Sequence, residues 1–451
     1  MNLRAVSLFS NCGAGDVGYR EAGFSFEVMA ELDERRLEVC LLNHPQAEGV
    51  PGDLRHTWPN VAAKYRERAG DEPPALLCAC PPCQGVSSAR GKRGNGENPD
   101  DGVKDYRNLL VEVIANVAKA LNPLLIVVEN VPAFLTRKIR HPDTNEAISA
   151  AELLVSRLTD AYETFSILTN LADYGVPQTR KRAFLTFVRR DLSGLAQLES
   201  GNRAPFPRPT HASDYRGSNP VTLREALREF KLASLDASSE EKAKDPNEDP
   251  LHSVPVWQDR RYQMVASIPP NSGKTAWETK RCGECGTVDV GDGDATCPRC
   301  GQPLLRPVVR QSNGTYRLVK GFRGSSYRRM RPDEPAATIT TGTGHLGSHF
   351  TIHPYENRLF SPLECAYLQT FPDDFEWGDA LKKWGHTNIR KMIGEAVPPL
   401  YTELHGHVLV GLLTGVWTSA PITRSDNRCE VASRKLGLPR PAQTQLPFTD
   451  S

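Results

Sequence analysis

Leu76-Leu77-Cys78-Ala79-Cys80-Pro81-Pro82-Cys83-Gln84-Gly85 carries an apolar run that opens at Pro74 and stops at two consecutive prolines. From Pro74 to Ala79 the run reads as a short buried strand, and Pro81-Pro82 then prevents a helix from starting. Cys83 is thereby placed on a stiff loop at the end of a parallel strand, the usual location for chemistry in an open α/β sheet. A lone cysteine is more often a small packed hydrophobe than a reactive group. The case for Cys83 therefore rests on what surrounds it.

On either side, strand-like and helix-like patterns alternate over residues 3–190. Ala5–Phe9, Ser25–Glu31, Leu124–Glu129 and Arg182–Val188 read as strands. Asp16–Ala22, Arg35–Asn43, Asn108–Ala120 and Ser149–Ala161 read as helices. This order predicts an α/β fold with a doubly wound, mostly parallel sheet. The rhythm breaks between 191 and 330, where Pro- and Arg-rich loops, a charged run and four cysteines mark an inserted smaller domain. It returns at 331–417 with a helix-like stretch around Leu400–Leu413, and residues 418–451 read as a disordered, polar tail.

Composition excludes little. The chain has 451 residues, 39% hydrophobic and 24% charged, which describes an ordinary globular protein. A formal net charge of +1 provides no global attraction to polyanions, so a nucleic-acid surface must be a local patch. The N-terminal residues enter a strand with no secretory core, and no apolar run reaches transmembrane length. A cytoplasmic protein without membrane contact is expected. Its eleven cysteines are then expected to be thiols or metal ligands.

The first strand leads into Phe9-Ser10-Asn11-Cys12-Gly13-Ala14-Gly15. Glycines at a strand-to-helix turn allow positive φ and let a ligand approach the backbone. Glu31 closes the next strand, where a carboxylate can accept from ribose hydroxyls, and Asp53 can face a base. No phosphate-cradling lysine accompanies them, which favours S-adenosylmethionine over a nucleotide. A tight turn without a ligand would look similar.

Glu129 ends the apolar run Leu124–Val128, so its carboxylate should lie in a desolvated setting that poises it as a proton donor. The alternative is an exposed acid just past the strand. Gln178-Thr179-Arg180-Lys181-Arg182 precedes another strand, and period-two spacing would put Arg180 and Arg182 on one face. A solvated basic edge is the other reading. Together these groups suit methylation of cytosine carbon 5. A thiolate adding to carbon 6 makes carbon 5 nucleophilic, an acid at ring nitrogen 3 stabilises the charge, and arginines orient the base.

In this order the segments resemble the DNA (cytosine-5)-methyltransferase family. Phe9–Gly18 is similar to its cofactor loop, Pro81–Gln84 to its nucleophile loop, Glu129–Val131 to its acid motif and Gln178–Arg182 to its paired-arginine motif. Arg331–Thr340 resembles the segment bracing the recognition domain, and Ile393–Pro399 the last motif, folding back on the cofactor site. The resemblance implies catalytic roles for Cys83, Glu129, Arg180 and Arg182. It implies cofactor contacts from Phe9, Ser10, Asn11, Cys12, Gly13, Glu31, Leu32, Asp53, Pro81, Glu395 and Val397. Gly85–Asn98 resembles the family's mobile loop. Asn11 and Ala14 stand where the family carries glycines, and Glu395 where it carries asparagine.

Cys282-Gly283-Glu284-Cys285 and Cys297-Pro298-Arg299-Cys300 form two CxxC knuckles, each followed by glycine, which suit four-thiolate coordination of a structural Zn²⁺ in a ribbon over 282–300. Basic residues and aromatics around it make a candidate phosphate and base-reading surface, or a merely solvated face. The expected partners are duplex DNA and a cognate restriction endonuclease, and the enzyme is expected to be a monomer near the nucleoid. The same chemistry on RNA, and a catalytically silent binder, stay open. A thiol hydrolase would need a histidine in a partner motif, and none is evident.

Overall fold

The computed structural model describes residues 2–82, 109–214, 217–247, 249–320 and 324–438. Cys83 and the expected mobile loop Gly85–Asn98 lie outside these described residues. The chain forms two compact units, residues 1–171, 181–209 and 399–451 in the first, 172–180 and 210–398 in the second.

The first unit is built on a seven-stranded sheet. Its strands are β1 (Arg4–Leu8), β2 (Ser25–Glu31), β3 (Glu48–Pro51), β4 (Leu76–Ala79), β5 (Leu125–Asn130), β6 (Tyr162–Asn170) and β7 (Lys181–Arg189), ordered β3-β2-β1-β4-β5-β7-β6. The first five are mutually parallel, while β7 runs antiparallel to both β5 and β6. Helices α1 (Ala14–Glu21), α2 (Glu34–Asn43), α3 (Leu54–Ala69), α4 (Leu110–Leu121) and α5 (Ala150–Leu158) follow the strands. All four residues of β4 are buried, as expected for a strand covered on both faces.

Three elements had no expectation behind them: the short edge strand β3, helix α3 and strand β6. Helix α3 contains Trp58-Pro59, which disguises it, yet Val61, Ala62 and Tyr65 are buried and hold it to the core. In β6 polar and apolar residues mix, as befits a sheet edge.

The polar tail is structured up to 438, contrary to the expectation of disorder from 418. Pro421–Thr423 pairs antiparallel with Arg203–Pro207, and a helix over Asn427–Lys435 is capped by Asp426, which accepts from the Arg428 N–H at 2.8 Å. Apolar residues here are few, but Ile422, Cys429, Ala432 and Leu436 are all buried. Their placement matters more than their number.

The second unit has small hydrophobic clusters and little regular sheet. Residues 331–398, expected to rejoin the first domain, group with the inserted segment. Buried polar residues join them: Gln178 donates to the Leu368 carbonyl at 2.7 Å and to Gln369 Oε1 at 2.8 Å, and accepts from the Ile339 N–H at 3.0 Å. Gln369 in turn donates to the Ile393 carbonyl at 2.6 Å. No helix among the described residues is long and apolar enough to cross a membrane.

Candidate active site

The turn after β1 is conformationally costly. Phe9, Asn11 and Gly13 have φ of 57°, 50° and 77°, and for the two non-glycine residues such values are uncommon. Hydrogen bonds hold the turn. Ser10 N–H donates to the Ala30 carbonyl at 3.0 Å, and Asn11 N–H donates to Glu31 Oε2 at 2.9 Å. Gly13 is required on two counts, its positive φ and a close neighbour, since an added Cβ would lie 2.8 Å from His44 Cδ2. His44 Nε2 meets the Gly13 carbonyl at 3.0 Å, and burial brings the imidazole pKa down to about 4.

Glu31 is buried at the end of β2, and its other oxygen accepts from the Asp33 N–H at 3.1 Å. Its neighbour Leu32 is an apolar side chain left 67% exposed. Cys12 is buried. Asp53 is the N-cap of α3, accepting from the Arg55 N–H at 2.9 Å, and Arg55's side-chain hydrogen bond lowers its pKa. Its cap role is thus visible in the fold itself.

At the far end of the sheet, topology brings distant residues together. Because β7 is antiparallel to β5, with Asn130 opposite Ala183, the start of β7 meets the end of β5. Arg182 Nε lies 2.8 Å from Glu129 Oε1, both side chains mostly buried. The adjacent Asn130 is buried and donates from Nδ2 to the Pro81 carbonyl at 3.0 Å, while its Oδ1 accepts from the Val131 N–H at 2.8 Å. Pro81 is two residues from Cys83. Asn130 therefore ties the end of β5 to Pro81, just before Cys83 in the sequence.

Arg180 does not share this arrangement. It precedes β7 and is fully buried, with its guanidinium donating to the carbonyls of Ile339 at 2.9 Å, Gly394 at 3.2 Å and Ala396 at 2.8 Å. The expectation of two guanidinium groups presented together is replaced by one ion pair and one carbonyl clamp. The clamp holds the segment carrying exposed Glu395 and buried Val397. Gly394 must be glycine because a Cβ would come within 2.3 Å of the Thr340 carbonyl carbon.

Two residues outside the expected site belong to this description. One is Asn130. The other is Asp16, buried in the first turn of α1 and accepting from Ser7 Oγ at 2.9 Å. Burial, only partly offset by that hydrogen bond, raises the Asp16 pKa to about 7. An acid in a Gly-rich turn looks solvated in sequence, and nothing local reveals its burial.

The four cysteines of the second unit converge. Their sulfurs all lie within 4.8 Å of one another, with Cys282 Sγ 3.7 Å from Cys300 Sγ and Cys285 Sγ 3.6 Å from Cys297 Sγ. A disulfide requires about 2.05 Å. A tetrahedron of thiolates about 2.3 Å from a Zn²⁺ has edges of about 3.8 Å, so the set fits such an ion. The knuckles match each other. Gly286 and Gly301 have φ of 72° and 70° and donate to the Cys282 and Cys297 carbonyls at 3.1 and 2.9 Å. Burial raises the Cys297 thiol, but the backbone N–H groups of Cys300 and Arg299 together with hydrogen bonds from the Cys300 and Cys285 thiols outweigh it and bring the pKa to about 7.

Relatives agree with the geometry. A family model for C-5 cytosine-specific DNA methylases matches residues 3–408. Type II methyltransferase M1.HgaI of Avibacterium volantium is 27% identical over 417 residues, covering 89% of this chain and 96% of the relative. Type II methyltransferase M.DdeI of Desulfomicrobium norvegicum is 26% identical over 417 residues, covering 89% of this chain and 87% of the relative. A solved structure described as a prophage-encoded DNA modification methyltransferase from E. coli covers 91% of this chain and 99% of its own, with a TM-score of 0.56 at 19% identity, so the fold is shared. The chain belongs to the C-5 cytosine-specific DNA methylase family. Its enzyme class is DNA cytosine-5-methyltransferase, and the cofactor of that family is S-adenosylmethionine.

Proposed function

We propose that this enzyme methylates carbon 5 of a cytosine extruded from duplex DNA, through a covalent adduct between Cys83 and ring carbon 6. The observation that carries this reading is the Glu129–Arg182 pair at 2.8 Å, held beside the loop base at Pro81 through Asn130. A stacked base hides carbon 6, so extrusion from the duplex is needed. Cys83 adds as thiolate to carbon 6, and Glu129 hydrogen-bonds or protonates ring nitrogen 3 as negative charge develops there. Arg182 orients Glu129 and the base edge, while Arg180 acts by positioning the 394–396 segment. S-adenosylmethionine supplies an electrophilic methyl group. Phe9, Ser10, Asn11, Cys12, Gly13 and Pro81 would shape its pocket, with Glu31 for the ribose hydroxyls and Leu32 and Asp53 for the adenine. After transfer, water takes the carbon 5 proton, its bonding electrons restore the 5,6 double bond, and the carbon 6–sulfur bond breaks to expel Cys83 as thiolate, so the nucleophile is regenerated.

Cys282, Cys285, Cys297 and Cys300 hold a Zn²⁺ whose role is structural, since four protein thiolates leave no open position. The division of labour is a catalytic unit built on the sheet, residues 1–171, 181–209 and 399–451, and a recognition domain within residues 210–398. A cytoplasmic monomer, nucleoid-associated and paired with a restriction endonuclease, suits relatives that are type II methyltransferases. The test is transfer of labelled methyl from S-adenosylmethionine to duplex DNA and to structured RNA, with wild type and Cys83→Ala. Incorporation into DNA, abolished in the variant, is expected. Transfer to RNA alone, or full activity in the variant, would overturn the reading.

A further inference from the structure

Residues 295–332 contain nine Lys or Arg residues and no Asp or Glu, in a chain of net charge +1. So sharp a local excess marks the face offered to a polyanion. Two of these arginines are internal, since Arg306 and Arg329 are buried. The exposed ones centre on a hairpin, Val308–Arg310 pairing antiparallel with Tyr316–Leu318. We propose that this hairpin is the element that reads duplex DNA, entering the major groove by its Gln311-Ser312-Asn313 tip, with the cysteine knuckles as its rigid base. The inference rests on the DNA reading above and deepens it.

Shape and chemistry support one occupant. The major groove, about 12 Å wide, admits a two-stranded ribbon. Register puts Arg310 opposite Tyr316 and Arg317 opposite Val309, so both faces of the ribbon carry a cation beside an apolar or aromatic group. Arg310, Arg317 and Lys320 meet no carboxylate among the described residues and can contact phosphates. The tip is closed by Gln311 N–H donating to the Thr315 carbonyl at 2.8 Å, and Asn313 Oδ1 accepts from the Thr315 N–H at 3.0 Å. Thr315 Oγ1 donates to Gln311 Oε1 at 3.1 Å. The exposed amide NH₂ groups of Gln311 and Asn313 are left to donate toward base edges, which is the chemistry that specifies sequence.

A two-stranded hairpin is marginal by itself and needs an anchor. This one follows Arg306-Pro307 directly. Arg306 donates to the carbonyls of Thr279 at 2.6 Å, Gly291 at 2.6 Å and Asp294 at 3.0 Å, lacing the knuckle loops to the start of the hairpin. Among the described residues, the apolar cluster beneath is Cys282, Val290, Cys297 and Leu304 with Cys285 against it, too small to hold this geometry without a metal. Metal occupancy should thus govern DNA reading without touching the cofactor site.

The experiment uses the full chain with S-adenosylhomocysteine and a fluorescent duplex carrying the site mapped by bisulfite sequencing of DNA methylated by wild type. For Arg310→Ala with Arg317→Ala we expect about tenfold weaker binding and a log–log salt slope lower by about 1.8, two phosphate contacts' worth. For Gln311→Ala with Asn313→Ala we expect a broadened methylation map with the salt slope unchanged. Chelation should release zinc and lower DNA affinity while S-adenosylhomocysteine still binds. Variants that bind, respond to salt and map like wild type, while wild type methylates DNA, would overturn the hairpin's role and leave the enzyme's function standing. A wild type that neither binds nor methylates duplex DNA would overturn both.

Discussion

Arg180 and Arg182 stand two residues apart and are used in opposite ways. Arg182, in the sheet unit, meets a carboxylate at the edge of the site; Arg180, in the second unit, meets three backbone carbonyls in a fully buried setting. Two buried acids, one in each unit, are also held in opposite ways. Asp16 in the first unit accepts a hydrogen bond from the Ser7 hydroxyl, with no cation among the causes of its shift, and burial raises its pKa to about 7. Glu364 in the second is equally buried, which by itself would raise it, yet Arg358 at 2.7 Å brings it down to about 2. The sheet unit has a broad hydrophobic core that tolerates costly polar groups near the strand ends. The second unit has small clusters and depends on compensated polar clamps.

The largest effect that would sharpen this contrast is Glu129→Gln, which should lower kcat about 10³-fold, near 4 kcal/mol, with the melting temperature nearly unchanged. A matching loss of stability would make the Glu129–Arg182 pair structural instead. Next come the two buried acids, whose pH dependences should oppose each other. Asp16 has a raised pKa, so its folded state holds a proton the unfolded state has lost between about pH 4 and 7, and stability falls across that range. Asp16→Asn should therefore gain on wild type as pH rises, by up to about 4 kcal/mol above pH 7. Glu364 is depressed, so its contribution is present above the unfolded carboxylate range and lost as pH falls toward about 2. Glu364→Gln should cost about 3 kcal/mol at pH 7, with the gap closing in acid. Denaturant titrations across pH read both, and parallel profiles would erase the contrast.

Arg180→Met should leave buried carbonyls without donors, costing about 2–3 kcal/mol in unfolding free energy, read by denaturant titration. A pure loss of kcat at unchanged stability would return Arg180 to direct contact with the base. The smallest effect is expected from Asn130→Ala, which frees the Pro81 carbonyl and should slow transfer roughly tenfold, about 1.4 kcal/mol, read in single turnover.

Much of the site was legible because it is written locally. Strand ends show as apolar runs stopped by a polar residue or proline, so Glu31, Pro81 and Glu129 could be placed at the tips of β2, β4 and β5 from pattern alone. The cysteine knuckles were legible for a similar reason, since ligand spacing within each CxxC is a property of one turn, and their convergence followed. The boundary at 331 and the ordered tail were not, because long-range contacts decide them: Gln178 bonding Leu368, Gln369 and Ile339 in the second unit, and buried Ala432 and Leu436 in the tail.

By itself the sequence determined the α/β order, the set of chemical groups and their family likeness, since each depends on neighbours within a turn or strand. Only the tertiary structure decided which groups act together. Reversal of β7 against β5 delivered Arg182 to Glu129, burial rather than spacing turned Arg180 into a clamp, and the packing of α1 gave Asp16 its raised pKa. Pairing across the sheet and removal from water are long-range properties, and no local pattern encodes them.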